Sequence, residues 1–197
     1  MTASAPNPRD TQYAEDFTST LTNALDKVTV NVFLCGKGLA SNPSETSTNG
    51  SDLRLFLQDK LQNEVKNCRV KLGEHQSLIE RYRSAAGAVA FNLADHEFAM
   101  ARTIDLVVIF PCSPGSFAEL GMFSREESIA TKMAIFLDVG YGDSKGYIVE
   151  GPVAAARLRQ SKVYVFDYSD REAILKQVTE LVMIRRALKG QQKLLTL

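Results

Sequence analysis

The sequence predicts an α/β fold, a three-layer sandwich built on a mainly parallel sheet of about five strands. Short apolar runs rich in β-branched residues alternate with stretches of helical periodicity, as in successive strand–helix–strand units. The runs 27–36 (KVTVNVFLCG) and 104–111 (IDLVVIFP) are typical of strands that are buried on both faces. This alternation places helices on both sides of the sheet, which is a Rossmann-like arrangement.

The first part of the chain is expected to begin with a helix over Tyr13–Asp26, whose apolar residues recur at helical spacing. The strand 27–36 follows and stops at a glycine. The segment Lys37–Asp52 is rich in Gly, Ser, Thr, Asn and Pro, and we expect it to form a long loop. A helix over 53–65 then carries an apolar stripe, and 68–72 (CRVKL) is expected to be a short second strand.

The second part of the chain continues the alternation of helices and strands, with the most apolar strand at 104–111. The other elements expected are helices over Gln76–Ala86 and Asn92–Thr103, a helix from about Ser116, a strand over 132–139, a helix from Pro152, a strand over 162–168 and a long C-terminal helix. Together they predict one domain over 13–197 that includes the C-terminal helix.

Length and composition are those of a globular protein, with 197 residues of which 45% are hydrophobic and 23% are charged. The segment 1–12 is polar and contains two prolines, and we expect it to be a flexible tail. It resembles neither the apolar region of a signal peptide nor a membrane span. These features predict a cytoplasmic protein without membrane association.

The charge balance and the cysteines exclude several classes of function. Lys plus Arg and Asp plus Glu number 23 each, so no overall basic field would attract a nucleic acid, and any such contact would be local. Cys35, Cys68 and Cys112 are odd in number and lack metal-ligand spacing, which favours reduced thiols. Neither a metal site nor a cofactor is expected.

The site is expected beyond the carboxyl ends of the strands, because open parallel sheets bind ligands there, where the strand order reverses. Gly36 and Gly38 follow the first strand, but their spacing matches neither a dinucleotide-binding nor a Walker A motif. Gly115 would let a ligand approach the backbone after the most apolar strand. Tyr147, in a glycine-rich loop, would either stack on a base or pack under that loop.

Ser116 and Glu119 in SPGSFAELG (113–121) admit two interpretations. In the first, they form a capping box in which Glu119 reaches back to the start of its helix. In the second, the helix start binds an anionic group, and Glu119 in the first turn is held as an anion by the helix dipole. An anionic carboxylate suits attack on the anomeric carbon of a sugar.

Glu97 is the second carboxylate of interest. On a helix it shares a face with Met100 and Ala101, which are expected to point at the sheet, so its carboxylate would need a partner or a function there. Alternatively, the phase of this helix differs by one residue, and Glu97 is solvated beside His96.

Four segments resemble a known family: VNVFLCG, IDLVVIFPCSPGSFAELGMFS, KMAIFLD and SKGYIVEGPV. Together they are similar to the nucleoside deoxyribosyltransferase-like effector domain of retron anti-phage systems and, more distantly, to nucleoside 2-deoxyribosyltransferases. The resemblance covers about Val28–Tyr168 and is most specific in FPCSPGSFAELG. It implies that Glu119, in the Glu-Leu-Gly motif, is the nucleophile on C1′ of deoxyribose, and that Glu97 is a second site carboxylate.

The resemblance breaks at Ser113, where transferases of this group typically carry an aspartate that contacts the base. A neutral hydroxyl supplies neither the charge nor the proton chemistry of a carboxylate, which argues against base exchange between free nucleosides. Effector-like proteins with SPGSF at this position are associated with cleavage of an N-glycosidic bond. Phosphoribohydrolases of the lysine-decarboxylase-like group fit less well, because their Pro-Gly-Gly-x-Gly-Thr run is missing.

The sequence therefore predicts an enzyme that hydrolyses or transfers at the N-glycosidic bond of a nucleoside or nucleotide, as an anti-phage effector. The alternative is a non-catalytic nucleotide sensor that uses the same pocket and signals through oligomerisation. Expected partners are the nucleoside or nucleotide, a second copy of the chain through the C-terminal helix, and a retron or other defence-system protein. The predicted catalytic residues are Glu119 and Glu97, and the predicted substrate-binding residues are Gly36, Ser113, Gly115, Ser116 and Tyr147.

Overall fold

The computed structural model of the protein describes residues 22–38, 49–73, 92–141 and 146–195, with a few isolated positions between 12 and 20. The helix predicted over Gln76–Ala86 and nearly all of the tail expected at 1–12 lie outside the described residues. Of the first predicted helix, residues 16, 19, 20 and 22–26 are described, and they are helical.

Within the described residues, five parallel strands form one open sheet, in the order β2-β1-β3-β4-β5. The strands are β1 (Val30–Cys35), β2 (Cys68–Leu72), β3 (Leu106–Ile109), β4 (Met133–Asp138) and β5 (Lys162–Phe166). The predicted fold class is confirmed. The strand order reverses between β1 and β3, so the carboxyl ends of these two strands form the switch point at which such sheets bind ligands.

The helices of the described residues follow the predicted alternation with local differences. They are α1 (Asn49–Glu64), α2 (Leu93–Thr103), α3 (Pro114–Phe123), α4 (Glu127–Ala130), α5 (Ala154–Leu158) and α6 (Arg171–Leu195). The helix α1 begins inside the segment predicted as a loop, and the short α4 was not predicted. Pro152 lies inside a π-helical turn (Val149–Val153) that leads into α5 and does not start a helix, because the chain is already helical before it.

The sheet is covered on both faces, which makes the fold a three-layer sandwich. Alternate strand residues point to opposite sides, so that Val32 and Leu34 contribute to one core cluster while Phe33 and Cys35 contribute to the other. The first cluster is closed by α1 and α6, and the second by α2, α3 and the segment around Val153. The helices that carry Glu97 and Glu119 therefore cover the same face of the sheet.

A polar cluster fastens α6 to the amino ends of β1 and β3. Lys189 donates to both carboxylate oxygens of Asp105, at 2.9 and 2.8 Å, and to the carbonyl of Thr29 at 2.9 Å. The backbone amide of Asn31 also donates to Asp105, at 2.8 Å. Burial raises the pKa of Asp105, but these hydrogen bonds and the Lys189 charge outweigh it and leave the pKa below its usual value.

Asp105→Asn is expected to destabilise the fold by about 1–2 kcal/mol at pH 7, because it removes a partly solvated charged hydrogen bond. The folded-state pKa of Asp105 is depressed, so its contribution is present above the unfolded-state pKa and is lost as the pH falls through the folded-state pKa. In urea unfolding, the difference in the free energy of unfolding between variant and wild type should therefore be smaller at pH 3 than at pH 7. An equal difference at both pH values would contradict this role of Asp105.

Candidate functional site

The loops that follow β1 and β3 meet at the switch point. The amide of Phe110 donates to the carbonyl of Cys35 at 3.0 Å, so β1 and β3 stay hydrogen bonded up to their carboxyl ends. Beyond this pair, the thiol of Cys112 is hydrogen bonded by the backbone of Lys37. Burial raises the pKa of the Cys112 thiol, although the Lys37 amide and the nearby Arg54 offset part of this effect. A protonated thiol of this kind is a poor nucleophile.

A capping box opens α3 directly after the β3 loop, and it is formed by Ser113 and Ser116. The Ser113 hydroxyl accepts from the Ser116 amide at 3.3 Å, and the Ser116 hydroxyl accepts from the Ser113 amide at 2.9 Å. Pro114 occupies the first helical position, where its fixed φ and missing N–H are tolerated. The interpretation in which Ser116 and Glu119 form the capping box is therefore wrong, because the helix starts earlier.

Because α3 begins at Pro114, Glu119 lies in the second turn of the helix. The prediction that Glu119 lies in the first turn, where the helix dipole mainly acts, is therefore also wrong. Glu119 is half-buried and its Oε2 atom is fully buried. One turn further on, Phe123 packs against Phe33 of β1 and Phe98 of α2, with ring centroids 6.4 Å apart in both pairs. The cap of α3 therefore does not involve Glu119.

Glu97 lies on the packed side of α2 and is half-buried, so the solvated alternative is wrong. A Cβ atom placed on Gly73 would lie 2.6 Å from its Oε1 atom and 3.9 Å from the ring of Phe33. The carboxylate therefore lies against the backbone just after β2, where only a glycine leaves room for it. No local pattern predicts this contact, because the two residues are far apart along the chain.

The two predicted catalytic residues thus lie on the same face of the sheet, on helices that pack against each other. The Glu97 carboxylate lies against Gly73, just after β2, and Glu119 lies on the helix that follows β3. In glycosidic reactions two carboxylates commonly divide the work, one acting at the anomeric carbon and the other moving a proton or holding the sugar.

Gly73→Ala is expected to push the Glu97 carboxylate away from the end of β2, because the new Cβ would approach Oε1 to 2.6 Å. If Glu97 serves the reaction, turnover should fall by about tenfold or more, because small displacements of catalytic groups are costly. Gly121→Ala is the matched control, since a Cβ there meets no atom within 4 Å. Wild-type turnover in a folded Gly73→Ala variant would contradict a role for Glu97.

A buried arginine at the site was missed by the sequence reasoning. Arg54 of α1 is 1% exposed and donates to the carbonyls of Leu34, at 3.3 Å, and of Lys37. Its side chain lies against Gly36, where a Cβ would come within 2.8 Å of the arginine Cδ. A signal was present, because position 54 falls on the same helix face as Leu57 and so places a charge on the buried stripe.

The other predicted binding residues differ in their surroundings. Gly115 is exposed, and a Cβ built on it meets no atom within 4 Å, so the backbone at the start of α3 is open. Ser116 is fully buried, and its hydroxyl also accepts from the Cys112 amide at 3.0 Å. Ser116 therefore shapes the loop through its backbone partners.

Tyr147 is 81% exposed and lies at a cavity of about 380 Å³ between α3 and the π-helical turn. The α3 residues at this cavity include Phe117, Ala118 and Gly121. Successive helical residues are rotated by about 100°, so these residues lie on the side of α3 opposite Glu119. The structure does not bring Tyr147 together with the two glutamates.

Neither a metal cluster nor a membrane span is found in the described part of the chain. No group of three or more His, Cys, Asp or Glu residues there is arranged to hold a metal ion. None of the helices in those ranges combines the length and the apolarity needed to cross a bilayer. All three cysteines are described and carry free thiols.

Comparison with known proteins connects this site to a family. A family model described as "STM3845 retron effector protein" matches residues 50–194, which include both glutamates, Arg54 and the capping box. The chain is 27% identical over 141 residues to the "Retron Ec86 putative ribosyltransferase/DNA-binding protein" of Escherichia coli, with 68% of this chain covered. It is 28% identical over 124 residues to the Escherichia coli retron Ec73 protein of the same description, with 63% covered.

The matches cover 40% and 37% of these two relatives, so the chain spans about two fifths of their length. The family model, in contrast, covers most of this chain, from the start of α1 almost to the end of α6. The chain therefore belongs to the STM3845 retron effector family.

Proposed function

We propose that this protein breaks the N-glycosidic bond of a nucleotide or nucleoside and acts as an effector in anti-phage defence. The observation that carries the proposal is the position of Glu119: its half-buried carboxylate lies on the helix that starts at the switch point, and the cap of that helix is formed by other residues. The ribosyltransferase description of the two Escherichia coli relatives supports chemistry at a ribose carbon.

In the proposed reaction, a carboxylate oxygen of Glu119 bonds to C1′ as the N-glycosidic bond breaks and its electron pair passes to the base nitrogen, which then takes up a proton. Water attacks C1′ in the second step, the bond between the sugar and Glu119 breaks, and the water gives up a proton. A second base in place of water would give transfer instead of hydrolysis. Glu97 orients the sugar or carries the proton between these groups.

The loops after β1 and β3 supply the binding contacts in this proposal. Gly115 lets the ligand approach the backbone and offers its own amide at the start of α3, because Pro114 has no N–H and the Ser116 amide is bonded to Ser113. Gly36 contributes indirectly, because the Arg54 side chain lies against it and leaves no open space there. Ser113 ends the loop after β3 and caps α3. Ser116 acts indirectly, because its buried hydroxyl holds the amides of Cys112 and Ser113 in place.

A second candidate function is a nucleotide sensor that binds the same ligand without consuming it. The state of Ser113 favours it, because this residue stands where transferases typically carry a base-contacting aspartate, and its hydroxyl is used as the helix cap. A sensor would need a way to signal. The helix α6 exposes the apolar side chains of Met183, Ile184 and Leu188, which could pair with a second copy of the chain or with a retron protein.

The test is mass spectrometry of the products after incubation of the protein with a panel of nucleosides, deoxynucleotides and NAD. Release of free base supports the enzyme and names its substrate class. The same panel is titrated into the protein by calorimetry. If a ligand binds and no product forms, the enzymatic function is ruled out in favour of the sensor.

A further inference from the structure

We propose that Arg54 is a positioning residue of this site, which fixes the loop after β1 and makes the site select a ligand that carries phosphate groups. The inference deepens the proposed function and rests on it for the identity of the ligand. The selectivity itself is a property of binding, so it can be measured without turnover.

The fit between Arg54 and the loop after β1 is close. The guanidinium donates to the carbonyls of Leu34 and Lys37, one in the strand and one beyond its end. Because the guanidinium is planar and rigid, holding both carbonyls fixes the path of the backbone between them. Gly36 lies within that path, and a Cβ on it would come 2.8 Å from the arginine Cδ and 3.3 Å from Nε.

The positive charge of Arg54 also acts on the loop after β3, on the other side of the switch point. The thiol of Cys112, in the loop after β3, experiences the positive charges of both Arg54 and Lys37. An arginine keeps its charge even when it is buried, and a charge in a protein interior is screened less than one in water. The buried Arg54 charge thus lies on the loop after β1 and also acts on the loop after β3, and we expect it to favour an anionic ligand group between the two loops.

A second buried arginine provides a matched control. Arg186 of α6 is 3% exposed, donates to the carbonyl of Lys66 and lies 3.7 Å from Asp26. Lys66 precedes β2 and Asp26 precedes β1, so this arginine lies at the amino ends of the strands, away from the proposed site. Replacing either arginine with methionine removes a buried charge and its hydrogen bonds, and only one of the two faces the ligand loops.

The first test titrates inorganic pyrophosphate into the folded protein by calorimetry. We expect the wild type to bind it, Arg54→Met to bind at least about tenfold more weakly, and Arg186→Met to stay within about twofold of the wild type. Thermal unfolding should show that both variants lose stability. Equal affinity of Arg54→Met and wild type, an equal loss in Arg186→Met, or a wild type that does not bind pyrophosphate would overturn the proposal.

Gly36→Ala tests the same idea with the charge retained, and it serves where Arg54→Met does not fold. The added Cβ should displace Arg54 or the loop and weaken pyrophosphate binding, whereas Gly121→Ala, whose Cβ meets no atom within 4 Å, should not. In a folded Arg54→Met background, Gly36→Ala should cause little further loss, because the two residues act as one unit. Wild-type affinity of Gly36→Ala, or fully additive losses, would overturn the proposal.

The outcome is separable from that of the proposed function. Glu119→Gln should bind pyrophosphate as the wild type does, with the same dependence on Arg54. If pyrophosphate binding depends on Arg54 but the protein consumes no nucleotide, the enzymatic function is ruled out and the role of Arg54 is supported. If the protein releases free base but the Arg54→Met variant binds pyrophosphate as the wild type does, the enzymatic function is supported and the role of Arg54 is ruled out.

Discussion

Glu119→Gln is expected to lower the rate of free-base release by about a thousandfold or more while leaving the fold and ligand affinity nearly unchanged. Loss of a nucleophile commonly costs this much or more, because the remaining site supplies only binding and orientation. An amide has the shape of a carboxylate but cannot attack C1′ as an anion. The start of α3 should be preserved, since Ser113 and Ser116 form its cap.

The measurement combines steady-state release of base, calorimetric affinity for the substrate and thermal unfolding. Glu127→Gln is a suitable control, because Glu127 is an exposed glutamate at the start of α4 and should be neutral in all three assays. Full turnover by the Glu119→Gln variant would show that Glu119 is not the nucleophile. A variant whose loss of rate merely follows a large loss of thermal stability would also contradict the assignment.

Phe136→Ala is expected to have the largest effect on stability, about 3–5 kcal/mol, because removal of a buried ring leaves a cavity that the core cannot fill. Phe136 is fully buried in β4. Its ring centroid lies 5.3 Å from that of Phe110, 5.1 Å from that of Tyr164 and 5.7 Å from that of Phe166. Loss of this ring removes the centre of the aromatic cluster that joins β3, β4 and β5.

Urea denaturation measures this loss, and Val165→Ala on β5 is the control. Val165 is 48% exposed, so its truncation should cost under about 1 kcal/mol. A Phe136→Ala variant that is destabilised no more than Val165→Ala would show that the aromatic cluster is not the centre of this core.

The strands could be predicted because their signal is local. Strands leave a short apolar or alternating pattern, and all five predicted runs contain a strand; β2 has the predicted bounds, and the other four strands are shorter than their runs. The start of α3 was placed too late, because Ser116 and Glu119 match the pattern of a capping box as written. Pro114 was the better signal, since proline is favoured at the first helical position and so points to Ser113 as the cap.

The site was only partly predictable. The half-burial of Glu97 followed from helical phase, but its place against Gly73 depends on how α2 packs over the end of β2, which no local pattern encodes. The burial of Arg54 could be predicted from its place on the apolar stripe of α1, but its carbonyl partners in and after β1 depend on how α1 packs over the sheet. Tyr147 was assigned to the site because its glycine-rich loop follows a strand, but it lies at a cavity on the other side of α3.

The most direct measurement is a crystal structure of the Glu119→Gln variant bound to the nucleotide that the wild type consumes. We expect C1′ of the sugar to lie within about 3.5 Å of the side chain at position 119, a distance suited to attack, with phosphate groups beside the loop after β1. A ligand seated instead in the cavity beside Tyr147, on the far side of α3, would contradict the assignment of the reaction to Glu119.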